Sequence, residues 1–472
     1  MKFGTSGLRG LVVDLQGHAS ALYATAFARY LLNKGFAKPG DTLFVGGDYR
    51  PSSPDIAATC MGALERAGLT PIDCGALPTP ALALYAMAKG SACLMITGSH
   101  IPADRNGIKF YRPDGEIDKA DEQAISALAR ELDREIIDLT PGRGEAANID
   151  AMQLYAARNR TILPPKALAG LKIGVYQHST VARDELVDVV AAYGADVVAL
   201  GPSEVFIPVD TEAVSPATIQ LMQAWTKEQA LDAVISADGD GDRPLVADEF
   251  GNPLKGDLLG FLVAKLLKPD VVVTPVTSNS GLERAGDFSV TRTRVGSPFV
   301  IEGMNAGLAA GAKAVLGFEA NGGVLTGSAF APAGTPLTAL PTRDSVLPIL
   351  AALYQARQTE KPLSALAGDL GLPVTAADRL ENFPTETSAK LMSHLQASED
   401  NLAAWLKPVG EIAGIDSTDG LRVTFTDGRI IHLRPSGNAP EMRCYVEATN
   451  EDAAGKLLAQ GLDLIRSWAQ QP

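Results

Sequence analysis

Leu231-Asp232-Ala233-Val234-Ile235-Ser236-Ala237-Asp238-Gly239-Asp240-Gly241-Asp242-Arg243-Pro244-Leu245-Val246-Ala247 sets two short apolar runs on either side of an acidic tip loosened by glycine. Such runs, bounded by Gly, Asp and Pro, are strand signals, so the stretch predicts a strand, a tight loop and a second strand at a sheet edge. Asp238, Asp240 and Asp242 occupy every second position, and the glycines between them let all three carboxylates turn toward one point. Donors that are all oxygen suit a hard cation such as Mg²⁺ or Ca²⁺, and three charges leave room for waters and one anionic ligand, which is how Mg²⁺ usually meets a phosphate. An ordinary acidic turn is the competing reading, because Asp and Gly favour turns for backbone reasons alone. An EF-hand is a second: Asp238, Asp240, Asp242 and Glu249 fall at its first, third, fifth and twelfth positions. Arg243 decides against it, standing where that loop needs Gly, and no amphipathic helix leads in.

Outward from this loop, helical and strand-like segments alternate. Ser20 to Lys34 carries Leu22, Tyr23, Ala26, Phe27, Tyr30 and Leu31 at helical spacing, and Thr42 to Gly47 follows as a buried strand. Pro54 to Gly68 predicts a helix and Thr70 to Cys74 a strand. The same order recurs from Ala167 to Leu200, with a helix near Asp184 to Tyr193, and again from Val271 through a Pro298 to Leu308 helix to Gly317. Strand-helix-strand alternation implies mixed or parallel sheets covered by helices. The C-terminal stretch is different: Gly420 to Phe425, Arg429 to Leu433 and Met442 to Glu447 alternate as strands before an Ala453 to Trp468 helix. The fold class expected is α/β, three related α/β mixed-sheet domains plus a smaller C-terminal α+β domain. The expected boundaries give domains 1–145, 146–250, 251–368 and 369–472.

A chain of 472 residues is too long for one hydrophobic core. A net charge of −14 argues against a nucleic-acid surface, so a phosphate site must be local and its substrate small. Met1 to Gly7 has no apolar core suited to a signal peptide, and no uninterrupted apolar stretch could span a bilayer, so a cytoplasmic location without a membrane partner is expected. Cys60, Cys74, Cys93 and Cys444 lack metal spacing and read as reduced and buried. Oligomeric state has no signature in the sequence.

Thr97-Gly98-Ser99-His100-Ile101-Pro102 is a small polar loop after the apolar run Ala92-Cys93-Leu94-Met95. Ser99 is the candidate nucleophile, although a serine in a loop is ordinarily a turn former and its hydroxyl is weak without a base or a charge field. His100, Lys109 and the carboxylate loop are its candidate partners. Taken with Asp238 to Arg243, this loop resembles the phosphoserine loop of the α-D-phosphohexomutase superfamily, the family of phosphoglucomutase, phosphomannomutase and phosphoglucosamine mutase. Phe3-Gly4-Thr5-Ser6-Gly7-Leu8-Arg9-Gly10 is similar to the family's opening F-G-T-x-G-x-R-G, and Arg434-Pro435-Ser436-Gly437-Asn438 to its C-terminal R-P-S-G-T. The matches run in family order along essentially the whole chain.

The resemblance implies four domains around a central cleft and a phosphohexomutase that interconverts hexose 6-phosphate and hexose 1-phosphate, mannose or glucose first. It implies a phosphorylated Ser99, Mg²⁺ held by Ser99, Asp238, Asp240 and Asp242, and a hexose 1,6-bisphosphate as intermediate and activator. Arg9, Lys109 and Arg243 would supply positive charge around the moving group, with His100 beside it. Arg434, Ser436, Gly437 and Asn438 would cradle the phosphate that does not react, with Arg443 following on a strand. Gly317-Phe318-Glu319-Ala320-Asn321-Gly322-Gly323 stands at the family's sugar-recognition loop, so Glu319 and Asn321 are expected to meet the sugar, and Arg294 is a further expected contact. Asn321 replaces the usual serine, Gly323 stands where dual-specificity members carry histidine, and Ile101 replaces a common asparagine. These departures keep phosphoglucosamine or phosphoacetylglucosamine mutase as the alternative. A non-catalytic sugar-phosphate-binding protein is the alternative of another class, and a phosphatase a third, for which no water-activating base is identified.

Overall fold

A computed structural model of the chain describes residues 2–3, 7–134, 136–436 and 440–470. It divides into two compact units, Met1–Val272 with Gly296–Leu366, and Val273–Val295 with Ala367–Pro472. The first sheet of the first unit contains β1 (Lys2–Phe3), β2 (Leu8–Leu11), β3 (Thr42–Gly47), β4 (Thr70–Ala76), β5 (Ala92–Ile96), β6 (Arg105–Arg112), β7 (Gly115–Glu116) and β8 (Glu145–Ala146), in the order β1-β2-β6-β5-β3-β4-β8 with β7 beside β6. The β3, β4, β5 and β8 pairings are parallel, and β6 runs antiparallel to both β5 and β2. This is the mixed sheet expected of the strand-helix alternation. β5 is buried along its whole length, so its end holds the residues that follow, Thr97 onward, with little freedom.

The second sheet, ordered β10-β9-β11-β12, comprises β9 (Lys172–His178), β10 (Asp196–Pro202), β11 (Ala233–Ala237) and β12 (Pro244–Ala247). β9, β10 and β11 are parallel, while β12 returns antiparallel to β11 with Ala237 opposite Pro244. The acidic tip is therefore a hairpin turn at the sheet edge, as its flanking strands predict. Gly241 takes φ +70° inside that turn, a conformation open to glycine without a Cβ penalty.

β13 (Val271–Pro275) carries the division between the units, and β14 (Ser289–Thr293) belongs to the second unit. In the first unit, β15 (Val315–Phe318), β16 (Val324–Thr326) and β17 (Leu340–Asp344) are successive antiparallel neighbours. The β16/β17 pair is irregular: Val324 faces Asp344 and Thr326 faces Leu340, so one residue of β16 lies opposite three of β17. In the second unit, β18 (Val374–Leu380), β19 (Ile412–Asp416), β20 (Leu421–Phe425), β21 (Ile430–Pro435) and β22 (Met442–Ala448) form an all-antiparallel sheet in the order β18-β22-β21-β20-β19. The helix Glu451–Ala469 packs Leu457, Leu462 and Ile465 into its core.

Expected helices are found at His18–Lys34, Ser53–Arg66, Arg183–Ala192 and Ser297–Ala309. The first buries Leu22, Ala26, Phe27, Tyr30 and Leu31 and ends where Gly35 turns left-handed. Cys60, Cys74, Cys93 and Cys444 are free and buried. Among the described residues, no helix is long and apolar enough to cross a membrane.

Candidate active site

Ser99 sits on a loop that is fixed from below. Thr97 Oγ1 donates to Asp48 Oδ2 at 2.7 Å and accepts from the Ser99 amide at 2.8 Å, and Ser99 itself adopts φ +55°. A left-handed serine is uncommon and persists where its surroundings over-determine it. Here Arg50 does so. Its Nη1 donates to the carbonyls of Pro102 and Arg105 at 2.7 and 2.9 Å, and its Nη2 to those of Ser99 and Ile101 at 2.9 and 2.6 Å. Asp48 pairs with its Nε at 3.2 Å, and the guanidinium lies 4.1 Å from the centre of the Phe206 ring.

The hairpin turn brings its carboxylates to this loop. The amides of Asp242 and Arg243 both donate to Asp238 Oδ1 at 3.1 Å, curling the turn around that side chain. Ser99 Oγ donates to Asp238 Oδ2 at 2.5 Å. Lys109 comes from β6 and donates to Asp240 Oδ2 at 2.6 Å and to Asp242 Oδ2 at 2.5 Å, while Thr79 Oγ1 reaches Asp240 Oδ2 at 2.5 Å. All three aspartates are fully buried, and one oxygen from each lies within 4.8 Å of the others. Two further carboxylate oxygens, Asp240 Oδ1 and Asp242 Oδ1, are buried without a hydrogen-bond partner among the described residues. An orphaned buried carboxylate oxygen is costly. A hard divalent cation fits this donor set.

The charges are set by their neighbours. Burial, then the charges of Asp240 and Asp242, pushes Asp238 well above the carboxylate range. Burial also opposes ionisation of Asp242, but Arg343, Lys109 and Arg243 outweigh it and hold its pKa below the usual range. Lys109 is raised because Asp240 and Asp242 outweigh its desolvation, so it is a buried cation. His100 Nδ1 lies 3.3 Å from Ser99 Oγ and 3.1 Å from Arg243 Nη1; burial, with the Arg243 charge second, pushes the imidazole down to about 3. Arg9, on β2 opposite Gly107, is pushed down to about 10 by burial and by the Arg243 charge.

Glu319 and Asn321 lie in the turn between β15 and β16. Glu319 N donates to the Gly323 carbonyl at 3.1 Å and Gly322 N to the Glu319 carbonyl at 2.9 Å. Asn321 Oδ1 is engaged by the Gly323 amide at 2.9 Å, so this side chain shapes the turn. Arg343, from β17, donates Nη1 to Glu319 Oε2 at 2.9 Å and Nη2 to Asp242 Oδ2 at 2.9 Å. The first unit thus brings together Ser99, His100, Lys109, Arg243, the aspartates and, through Arg343, Glu319.

The second unit holds the other expected residues. Arg434 Nε lies 2.9 Å from Asp419 Oδ2, and the same carboxylate oxygen accepts from the Val295 amide at 2.9 Å, next to Arg294. Arg443 stands opposite Arg434 in the β21/β22 register, so two guanidiniums face one sheet position. Ser436 N donates to the Glu441 carbonyl at 2.9 Å. Gly4, Thr5, Ser6, Gly437 and Asn438 lie outside the described residues.

Three supporting residues escape a motif reading. Arg50 and Asp48 carry a faint signal, an Asp-x-Arg directly after the buried strand β3; Arg343 carries none, because Pro341-Thr342-Arg343-Asp344 reads as any polar strand end.

Models of the phosphoglucomutase/phosphomannomutase family match this chain: alpha/beta/alpha domain I over residues 1–135, alpha/beta/alpha domain III over 255–371 and the C-terminal domain over 380–464. The chain is 57% identical over 468 residues to a phosphomannomutase of Sinorhizobium fredii (strain NBRC 101917 / NGR234), covering 99% of each protein. It is 41% identical to a phosphomannomutase of Salmonella muenchen, covering 99% of this chain and 96% of that one. A solved structure of a putative phosphomannomutase from Thermus thermophilus shares the fold at a TM-score of 0.77 with 24% identity, covering 99% of each chain. Agreement of this kind along nearly the full length makes the chain a member of the phosphoglucomutase/phosphomannomutase family.

Proposed function

We propose that this chain is a Mg²⁺-dependent phosphohexomutase that interconverts mannose 6-phosphate and mannose 1-phosphate. The observation that carries the reading is the 2.5 Å contact between Ser99 Oγ and Asp238 inside a buried cluster of three carboxylates ringed by Lys109, Arg243 and Arg343. The names of the relatives at 57% and 41% identity favour mannose over glucosamine.

Ser99 carries the phosphoryl group. The bond between Ser99 Oγ and phosphorus breaks as the bond from phosphorus to the sugar's free hydroxyl oxygen forms, the hydroxyl's proton ending on Ser99 Oγ, to give a hexose 1,6-bisphosphate; the reverse transfer returns the other phosphoryl group to Ser99 Oγ and a proton to the sugar oxygen it leaves. Asp238, Asp240, Asp242 and Ser99 would hold Mg²⁺, which when bound offsets phosphate charge and makes phosphorus more electrophilic. Lys109, Arg243 and Arg9 stabilise the equatorial oxygens as charge redistributes. Glu319 accepts from sugar hydroxyls. Arg434, with Ser436, Gly437 and Asn438, grips the phosphate that is not reacting, and Arg294 contacts the substrate. Because Asp242 and Lys109 hold each other charged in a site closed to bulk water, the field is present before substrate arrives.

The test is turnover of mannose 1-phosphate with Mg²⁺ and a trace of glucose 1,6-bisphosphate, alongside intact-mass measurement of the protein. Activity that EDTA abolishes, one added phosphate after exposure to the bisphosphate, and loss of both label and turnover in Ser99→Ala are expected. Full activity in Ser99→Ala, or activity indifferent to EDTA, overturns the reading.

A further inference from the structure

Arg343 is buried to 2% exposure, and it binds carboxylates from two separate hairpin turns. Its Nε and Nη2 engage Asp242 Oδ2 at 3.1 and 2.9 Å, and its Nη1 engages Glu319 Oε2 at 2.9 Å. Asp242 Oδ2 is shared with Lys109, so the contact to Glu319 gives the arginine a carboxylate of its own and at the same time fixes that side chain. Glu319 Oε1 accepts no hydrogen bond among the described residues, so the arginine holds one oxygen of that carboxylate and leaves the other to be used.

Two features of the backbone are shaped around this side chain. The irregular β16/β17 register leaves Pro341, Thr342 and Arg343 opposite the single residue Leu325, and extra residues of this kind re-aim side chains. Gly323 makes the space: a Cβ there would lie 2.7 Å from Arg343 Cδ and 2.8 Å from its Cγ, closer than the stem of a packed arginine tolerates. A side chain at 323 and Arg343 in its present seat exclude each other. Position 323 immediately precedes β16 in the turn that carries Glu319, so the family's histidine position and Arg343 compete for one place beside the glutamate.

We propose that Arg343 is the positioning residue for sugar discrimination, clamping Glu319 to the metal loop through Asp242 so that its free oxygen meets the hexose hydroxyls in one fixed orientation, a task that Gly323 permits by leaving the place vacant. The inference rests on the reading of Glu319 as the group that accepts from the sugar. A glutamate free to rotate loses entropy on binding each hydroxyl and discriminates poorly between epimers; a clamped one does not. The clamp also ties the sugar-reading turn to the turn that bears the aspartates.

The experiment is steady-state kinetics on mannose 1-phosphate and glucose 1-phosphate for the wild type, Glu319→Gln, Arg343→Lys, Gly323→Ala, Arg343→Ala and the Arg343→Ala/Gly323→Ala double variant, with thermal melts to verify folding. Glu319→Gln is expected to change the mannose-to-glucose ratio of kcat/KM at least about fivefold. Arg343→Lys and Gly323→Ala are expected to move that ratio in the same direction, with the change carried mainly by KM. Adding Gly323→Ala to Arg343→Ala should change the ratio less than about twofold, because the arginine stem it would strike is gone. If Arg343→Ala does not fold, Arg343→Lys and Gly323→Ala decide alone. A ratio shifted by Glu319→Gln but untouched by Arg343→Lys and Gly323→Ala overturns the clamp while leaving Glu319 as the sugar reader. Equal loss on both sugars in the Arg343 variants overturns it as well, since that is what a purely structural arginine gives. No shift with Glu319→Gln removes the sugar-reading role of Glu319, and the clamp with it.

Discussion

Lys109 places a buried positive charge between two carboxylates of the cluster. Its ammonium bridges Asp240 and Asp242 at 2.6 and 2.5 Å with almost no exposure to water, so it neutralises the carboxylates that a divalent cation would otherwise neutralise. Lysine and metal therefore oppose one another. Lys109→Met is expected to bind Mn²⁺, a convenient stand-in for Mg²⁺, about tenfold more tightly by calorimetry, a difference of about 1.4 kcal/mol. It should also melt at lower temperature in EDTA and regain stability when metal is added, because binding to the folded state alone stabilises it. Turnover should fall despite the tighter metal, since the proposed reading gives this cation the task of meeting phosphate oxygens. Metal affinity unchanged or weakened in this variant would contradict the opposition.

At the scale of elements, the loop that carries Ser99 is held by Arg50 in addition to its own turn bonds, from Ile101 N to the Gly98 carbonyl at 3.2 Å and from Arg105 N to the Pro102 carbonyl at 3.1 Å. The guanidinium reaches four carbonyls between Ser99 and Arg105, and a Cβ at Gly98 would lie 2.7 Å from its Cζ, so loop and arginine fit only with glycine between them. Arg50→Met leaves those four carbonyls without their donor and removes the cation beside Asp48, which keeps its bonds from Thr97 and Ser53; it should cost about 3 kcal/mol in chemical denaturation. It should also cut kcat by on the order of 10² while leaving the Mn²⁺ affinity of the hairpin largely intact, as misplacing a reacting group does. A variant with normal kcat would show that the loop keeps its shape unaided. A second element-scale feature is a pH dependence. Glu185, on the helix Arg183–Ala192, accepts from Asn159 Nδ2 at 2.9 Å, and burial pushes its pKa up to about 7. Because the folded pKa lies above the unfolded value of 4.5, its contribution is complete below about pH 4.5 and is lost as pH rises through 7. Relative to Glu185→Gln, the wild type should lose on the order of 3 kcal/mol between about pH 4.5 and 8, read from denaturation midpoints. Parallel curves for the two proteins would place the buried carboxyl elsewhere in the balance.

Across the whole molecule the net charge is −14, and against it the local groupings of cations stand out. In the second unit Arg434 and Arg443 face one another across β21 and β22 beside Asp419 and Glu441. On the proposed reading, a phosphate held there would meet two guanidiniums partly balanced by carboxylates, suited to holding without reacting. A resting phosphate is the same in ground and transition states, so if Arg434 binds it, Arg434→Ala should raise KM about tenfold or more for mannose 1-phosphate and mannose 6-phosphate to a similar degree. Unchanged KM for either substrate would remove Arg434 from the binding role.

The sequence by itself determined the elements and the motifs, because both are local. Thr42–Gly47 and Pro244–Ala247 have the limits that their apolar runs predict, and the acidic tip between Ala237 and Pro244 is legible because Asp and Gly announce a turn and three carboxylates announce a cation within one short loop. Ser99, Glu319 and Arg434 were likewise visible as words in short motifs. Only the tertiary structure decided which groups meet. That Ser99 donates to Asp238, 139 positions away, and that Lys109 reaches across to Asp240 and Asp242, follows from how strands of different sheets are brought end to end. Arg343 is the sharpest case: its role depends on a register slip between β16 and β17 and on empty space at Gly323, and neither pairing register nor free volume is written in the neighbouring residues. A turn or a buried strand is specified by contacts along the chain; a charge network is specified by where distant chain segments bury one another's carboxylates.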